Sequence, residues 1–383
     1  MSGPVGRLRE FYSGTRVVVT GHTGFKGAWL SLALAELGAD VTGVALPAED
    51  ADGMFLMGGV GAQVDSHHID IRDGQALARL FAEVQPEVVF HLAAQSLVPA
   101  SFSDPVETFD VNVTGTAAML AACASASALR SVVVITSDKV YENNGAGKVF
   151  VESDRLGAGD PYSASKAAAE LVVASWRHSF LSVDGGPRFS LGAARAGNVI
   201  GGGDRAEARI VPDVVRALAA DAAVLVRNPN SVRPWQFVLE PVLGYLLYAA
   251  ALADNEHASR PGGTSPVPHE LNFGPDAVST STVSALVDRF IDQWGRGSWA
   301  GTDERPGPEA AVLLLDSSEA RRSLGWRSLL DLDSVIRRTV DWYRCAATTG
   351  DCRELSRRQL HDYLTGVDAD LDDAVDDQIG APT

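Results

Sequence analysis

From Arg16 onward, short runs of β-branched and apolar residues alternate with longer segments in which apolar residues recur every three or four positions. That is the pattern of a chain repeating strand, helix, strand. It predicts strands at Arg16–Thr20, Val41–Ala45, His68–Ile71, Glu87–His91, Val132–Ser137 and Phe189–Arg195. Helices are predicted near Gly27–Leu37, Gln75–Val84, Val106–Ala126 and Pro161–Phe180. The run Val132-Val133-Val134-Ile135 is apolar without alternation, as a parallel sheet with helices on both faces demands. The N-terminal half therefore reads as an α/β, doubly wound parallel sheet.

After Arg195 the rhythm breaks at Gly201-Gly202-Gly203 and gives way to short mixed elements, with loops expected in the Pro/Gly-rich stretches Pro261–Pro268 and Gly295–Pro308. The expected division is a nucleotide-binding domain over residues 1–196, a smaller mixed α/β substrate-binding lobe over 197–350, and a tail over 351–383. The apolar helix Glu240–Ala253 suggests that about 232–258 returns to the first domain. The tail concentrates Asp368, Asp370, Asp372, Asp373, Asp376 and Asp377, so self-repulsion should leave it loosely ordered.

At 383 residues the chain exceeds one compact core, and 46% hydrophobic with 21% charged residues excludes a disordered chain. The formal charge of −17 argues against nucleic acid or an anionic membrane as partner, since both would be repelled. The longest apolar stretch, Leu243–Ala253, is about half a bilayer span, and Met1–Glu10 lacks the apolar run of a signal peptide. Cys123, Cys345 and Cys352 are too scattered for a disulfide or metal framework. A cytoplasmic protein without metal is expected.

The first predicted strand runs into Gly21-His22-Thr23-Gly24-Phe25-Lys26-Gly27 and then an apolar helix. Glycines there permit a tight turn and close approach of backbone to a pyrophosphate, which the helix N-terminus attracts. The expected fold is thus Rossmann-type and the expected guest a dinucleotide. The second strand ends in Val44-Ala45-Leu46, without the acidic residue that usually holds the adenosine ribose of NAD and without an Arg for a 2′-phosphate. NAD and NADP are both left open by that turn. Asp70-Ile71 becomes the flank for adenine, with a plain loop cap as the other use of Asp70.

Tyr162-Ser163-Ala164-Ser165-Lys166 places a phenol and an ammonium on one face of a helix. An ammonium beside a phenol favours the phenolate, making a base usable near neutral pH. Ser137-Asp138-Lys139 directly follows a buried strand, at the sheet edge where such folds bind ligands. The chain has 28 Arg but only four Lys, namely Lys26, Lys139, Lys148 and Lys166. Three of the four occupy these motifs, which suggests that a titratable amine is wanted there. A surface ion pair for Tyr162/Lys166 and a strand-end cap for Asp138/Lys139 are the structural alternatives.

Together with these motifs, HLAAQSLV (His91–Val98), DVNVTGT (Asp110–Thr116), TSDKVYEN (Thr136–Asn143), RAGNVIGGGD (Arg195–Asp204), RNPNSVRPWQFVLEP (Arg227–Pro241), NFGP (Asn272–Pro275) and LDSSEARRSLGW (Leu315–Trp326) carry a family resemblance. Over roughly Arg16 to Tyr343 the chain resembles the extended short-chain dehydrogenase/reductases, and within them the nucleotide-sugar 4,6-dehydratases that use CDP-glucose. The resemblance implies a tightly held NAD bound by Gly21, Thr23, Gly24, Phe25, Lys26, Gly27, Asp70, Ile71, Leu92, Ala93, Ala94, Tyr162 and Lys166. It implies that Tyr162 takes the C4 hydroxyl proton, Ser137 bonds the C4 oxygen, Lys139 removes the C5 proton and Asp138 protonates the leaving C6 hydroxyl. Lys166 would hold the nicotinamide ribose. Gln95, Ser96, Asn198, Arg205, Arg209 and Arg233 would bind the nucleotide-diphosphate sugar, Arg233 in bidentate fashion. A homodimer or homotetramer is implied, through the helices at Val106–Ala126 and Pro161–Phe180, whose small apolar residues core packing explains equally well.

Three positions depart from the family pattern: Ser96 stands where Pro is expected, Arg205 where an aromatic is expected, and Phe237 where His is expected. These departures leave the exact nucleotide and sugar open. An acid role for Asp138 and a base role for Lys139 also require pKa shifts opposite to those of a simple ion pair. A nucleotide-sugar 4-epimerase shares the nucleotide turn, Tyr162 and Lys166 but has no use for Asp138-Lys139. A catalytically silent NAD-binding regulator has no need to keep Tyr162 and Lys166.

Overall fold

Val17, Val18 and Val19 are fully buried, and so are Val132 and Val133. Successive strand residues face opposite sides, so these strands need cover on both. The computed structural model describes residues 3–143, 145, 147–157, 159–183, 186–258, 267–275, 280–302 and 313–379, with side chains for all of these except 255–258 and 369–379. Its main sheet comprises β1 (Arg16–Thr20), β2 (Asp40–Ala45), β3 (Asp65–His68), β4 (Val88–His91), β5 (Ser131–Ile135), β6 (Ser190–Ala196) and β7 (Glu270–Phe273). The order is β7-β6-β5-β4-β1-β2-β3 and every pairing is parallel. Chain direction across the sheet reverses between β1 and β4, so the crevice at their carboxyl ends is the place where this topology admits a ligand.

On one face lies α2 (Phe25–Glu36), after α1 (Pro4–Tyr12), with α6 (Leu239–Ala258). Trp29, Leu30, Leu34, Tyr245 and Leu246 join Val17, Val19, Phe90 and Val133 in one core. The other face holds α3 (Gly74–Val84), α4 (Gly115–Cys123) and α5 (Pro161–Trp176), packing Leu77, Phe81, Met119 and Val173 on Val18, Val89 and Val132. The second half adds two-stranded pairs, including the parallel pair of 199–200 with 236–237 and the antiparallel pair of 232–234 with 280–282.

Several elements differ from the sequence expectation. The third strand is Asp65–His68 rather than His68–Ile71, because an edge strand paired only with β2 needs no apolar run. The segment expected as one helix over Val106–Ala126 is a helix at Pro105–Phe109, a π-helical turn at Asp110–Thr114 and then α4. Pro105 starts its helix with Asp104 as cap, accepting from the Glu107 amide at 3.0 Å. The seventh strand comes from the part assigned to the smaller lobe, its four residues too short to register as a pattern. Within the loop expected at Gly295–Pro308, Trp299–Gly301 pairs with Val224–Val226, while 303–308 lie outside the described residues. So do 261–266 of the expected Pro261–Pro268 loop.

The tail expected to be loose from 351 is instead helix α8 (Arg353–Ile379), following α7 (Leu332–Thr349). Leu360, Tyr363, Leu364 and Val367 are buried, an apolar stripe at helical spacing that precedes the acidic cluster. Asp368 accepts from the Val5 amide at 3.0 Å and so ties α8 to α1. No helix among the described residues is long and apolar enough to cross a membrane.

Candidate active site

The glycine turn is shaped as a cradle. A Cβ on Gly21, whose φ is +78°, would lie 2.7 Å from the Ala93 amide nitrogen, and one on Gly27 would strike the Gly21 carbonyl. Gly24, the N-cap of α2, is different: a Cβ there meets only the Gly21 carbonyl, at 3.4 Å. The first and third glycines therefore close the turn while the second faces open space at a helix N-terminus, which fits the pyrophosphate of a dinucleotide. Thr23 donates to the Leu46 carbonyl at 3.1 Å, and the Leu92 and Ala93 amides bond to Thr20 at 3.1 and 3.2 Å. Ala94 follows half-buried in the same loop. Phe25 packs against the core beside Gly201.

The intervening His22 is buried on Gly43, where any side chain would collide with the imidazole ring, and it shares a 2.6 Å hydrogen bond with Ser66. Burial pushes its pKa down to about 4, so the ring is neutral at physiological pH. Asp70 is engaged by Arg72, which takes both carboxylate oxygens with its guanidinium and one with its amide. That is the loop-cap use of Asp70. Ile71 buries its side chain against Gly115, so its backbone is the part left to meet an adenine.

The proton-handling groups converge at the carboxyl end of β5. Ser137 lies near enough to the Tyr162 hydroxyl to act on its pKa, donates to Asp138 Oδ1 at 3.0 Å and accepts from the Lys139 amide at 3.2 Å. Asp160 caps α5 through the Ser163 amide at 2.9 Å, which places Tyr162 in the first turn. Lys166, one turn later, donates to the Ile135 carbonyl at 3.3 Å. Tyr162, Asp138 and Lys166 are all buried, and Lys139 is half-buried.

Burial dominates the electrostatics here. It raises the Asp138 carboxyl above its ordinary range, against the opposing pull of Lys139, the Ser137 hydroxyl, Arg233 and Lys26. Lys166 is pushed down to about 7 by burial and by Lys26, with Glu170 opposing. Lys26 is lowered to about 8 by burial and Arg209, and lies 5.9 Å over the Tyr245 ring. The expected lowering of the Tyr162 pKa by Lys166 is not what the geometry gives. Burial raises the phenol, Ser137 opposes this, and Arg209 is the cation that acts on it.

The expected substrate contacts divide. Arg233 is buried and near enough to act on Asp138. Arg209 reaches Ser96 Oγ at 3.2 Å and is held by Asp204 at 3.1 Å. Asn198, half-buried, lies two residues past the end of β6, with its carbonyl accepting from the Gln236 amide. Gln95 is occupied within its own loop, accepting from the Leu97 amide at 2.6 Å and donating to Thr108 at 2.9 Å. Arg205 is not in this group: it pairs with Asp52 at 2.8 Å and stacks over Tyr343 at 5.0 Å. An Arg in place of the expected aromatic uses its planar face against Tyr343. Phe237 lies in the core between Trp29 and Tyr363, so that departure does not touch a sugar site.

Four residues around the site were not singled out from sequence. Asn112, turned inward by the π-helical turn, donates to Ser165 at 2.8 Å and accepts from the Gln95 amide at 2.8 Å. His91, between Thr20 and Thr116, is lowered by burial to about 3. Glu170 and Arg195 form a buried ion pair. For Glu170 the signal was present, since it repeats the Tyr162–Lys166 spacing one turn further along.

Residues 17–260 match the model of the NAD dependent epimerase/dehydratase family. The chain is 41% identical to the CDP-glucose 4,6-dehydratase of Salmonella typhimurium, over 94% of this chain and 99% of that one. Two solved structures share the fold. One is DesIV, a dTDP-glucose 4,6-dehydratase from Streptomyces venezuelae with NAD and TYD bound, at a TM-score of 0.73 and 23% identity, covering 88% of this chain and 98% of that one. The other is the epimerase Mth375 from Methanothermobacter thermautotrophicus, at 0.76 and 20%, covering 92% and 97%. A glycine cradle open at its middle position, the Tyr162–Lys166 helix beside it and the match in sequence lead to one conclusion: this chain belongs to the NAD dependent epimerase/dehydratase family.

Proposed function

We propose that this chain is a nucleotide-sugar 4,6-dehydratase, converting CDP-glucose to CDP-4-keto-6-deoxyglucose. The observation that carries this reading is Asp138. A buried carboxyl, raised by burial against three cations and hydrogen-bonded to the serine that meets Tyr162, is suited to donate a proton. An epimerase needs no such acid, and the fold alone does not separate the two classes.

In this reading Tyr162 accepts the C4 hydroxyl proton and Ser137 donates to the C4 oxygen. NAD, held by the glycine turn and Lys166, would supply the hydride acceptor for C4 and the hydride donor for C6. The C4 ketone acidifies the C5 hydrogen, which Lys139 removes as a proton while Asp138 protonates the departing C6 hydroxyl, releasing water. Hydride addition at C6 requires a proton at C5, which Lys139 gives back, and the proton that Tyr162 took replaces the one Asp138 gave up, so the sugar loses one water and every group ends as it began. Arg233, Arg209 and Asn198 take the diphosphate, supplying the positive charge that an acidic protein otherwise lacks. Gly21, Gly24 and Gly27 hold the NAD pyrophosphate, and Lys166 holds the nicotinamide ribose. Keeping water from the site protects the unsaturated sugar until the hydride returns.

We place the protein in the cytoplasm, in keeping with three free cysteines. We further expect a homodimer through the helices at 98–109 and α5, on which Phe102, Val106, Phe109 and Leu171 are each exposed. Val106→Glu should yield a monomer by light scattering, and an unchanged mass would exclude this face. The function itself is tested by incubating the purified protein with CDP-glucose and following the sugar by mass spectrometry. Loss of one water with a new ketone supports it, and an isomer of unchanged mass contradicts it.

A further inference from the structure

Two pieces of chain must stay in fixed relation for this chemistry: the Ser137-Asp138-Lys139 turn and the helix bearing Tyr162 and Lys166. Both are gripped by one buried ion pair. Arg195 on β6 contacts Glu170 on α5, with Nε to Oε1 at 2.8 Å and to Oε2 at 3.1 Å, and each side chain is 3% exposed. Glu170 Oε1 also accepts from the Thr136 hydroxyl at 2.6 Å, and Thr136 immediately precedes the turn. Arg195 Nη1 donates to the Tyr141 hydroxyl at 2.7 Å and lies 4.9 Å over that ring, and Tyr141 is where the turn ends. Tyr141 donates onward to Asn272 at 2.7 Å and stacks on Phe150 at 4.8 Å. Glu170 is also one helical turn beyond Lys166 and acts on its amine.

We propose that the Glu170–Arg195 pair is a positioning device for the reaction, holding the turn at both ends and the helix between them so that groups at C4 stay in register with groups at C5 and C6. The proposal rests on the dehydratase reading for what is being held. An isolated buried pair gains little over apolar packing, and its desolvation is offset here by Thr136, Tyr141 and the Glu152 carbonyl, which accepts from Arg195 at 3.0 Å. Sub-ångström placement is where such a device acts, since displacing a reacting group by about 1 Å costs about a hundredfold in rate.

Thr136→Val removes one hydroxyl grip while preserving shape, Thr136→Ser restores it, and Tyr141→Phe removes the other grip while keeping the stacked ring. With CDP-glucose, Thr136→Val and Tyr141→Phe should each lower kcat by about tenfold or more with KM nearly unchanged, and Thr136→Ser should recover most of the loss. A loss in KM alone, or no rescue by serine, overturns the proposal. Glu170→Gln, which removes a charge and is the variant most at risk of unfolding, is therefore not the primary test. A second measurement does not depend on turnover. With only four lysines, [13Cε]lysine spectra of folded Thr136→Val and Tyr141→Phe should show the Lys139 resonance moved and that of Lys148 fixed. An unmoved Lys139 resonance overturns the device even if the substrate proves to be a different sugar.

Discussion

A methyl group added to Gly197 would sit 2.5 Å from Oδ2 of Asp138. The glycine that follows β6 is therefore what leaves room for the buried carboxyl. Gly197→Ala should displace Asp138 and reduce kcat by about a hundredfold, with the unfolding midpoint changed only slightly. Steady-state kinetics beside a thermal melt check this, and a variant as active as the parent removes Asp138 from the reaction.

Asp138→Asn separates stability from activity. Burial raises the carboxyl's pKa, so the folded protein binds the extra proton over a window above the unfolded value of about 3.9, and stability falls as pH rises through it. The variant should melt higher than the parent, by more at about pH 8 than at about pH 5. With substrate it should oxidise C4 and then stall, so absorbance of reduced nicotinamide builds up. Equal melting at both pH values, or no absorbance, contradicts the assignment.

The lysines offer a direct electrostatic check. Lys166 and Lys26 are lowered to about 7 and about 8, so two of the four [13Cε]lysine resonances should titrate near neutrality. An amine with a lowered folded pKa binds fewer protons native than unfolded, so stability from this source rises with pH between about 7 and about 10.4 and is lost below. Lys166→Met should accordingly stabilise more at about pH 6 than at about pH 10. Resonances that all titrate above about 10 would refute the buried geometry.

Helix α8 belongs to the core. Tyr363 is 2% exposed, with its ring 6.4 Å from Phe237. Tyr363→Ala should cost roughly 3–5 kcal/mol in urea unfolding, whereas a freely moving tail would show no change.

The strands and the two motifs were legible because each obeys a local rule. β1 and β5 are apolar runs buried on both faces, the glycines answer to one turn, and Tyr162 and Lys166 are one helical turn apart. What sequence hid depends on distant partners. β3 is an exposed edge strand without an apolar signature. The break in the helix around Asn112 comes from a π-helical turn that no spacing announces. Arg205 looked like a pocket residue until Asp52 and Tyr343 were brought to it from 153 and 138 positions away. In the same way charge composition suggested a loose tail, while four apolar residues ahead of the acidic cluster held α8 in place.

The most direct test of the central claim follows one hydrogen. CDP-glucose carrying deuterium at C4, converted by the purified protein, should give a 4-keto-6-deoxy sugar with that deuterium at C6. Deuterium still at C4 of a sugar inverted at that carbon, or complete loss of the label to solvent, would contradict it.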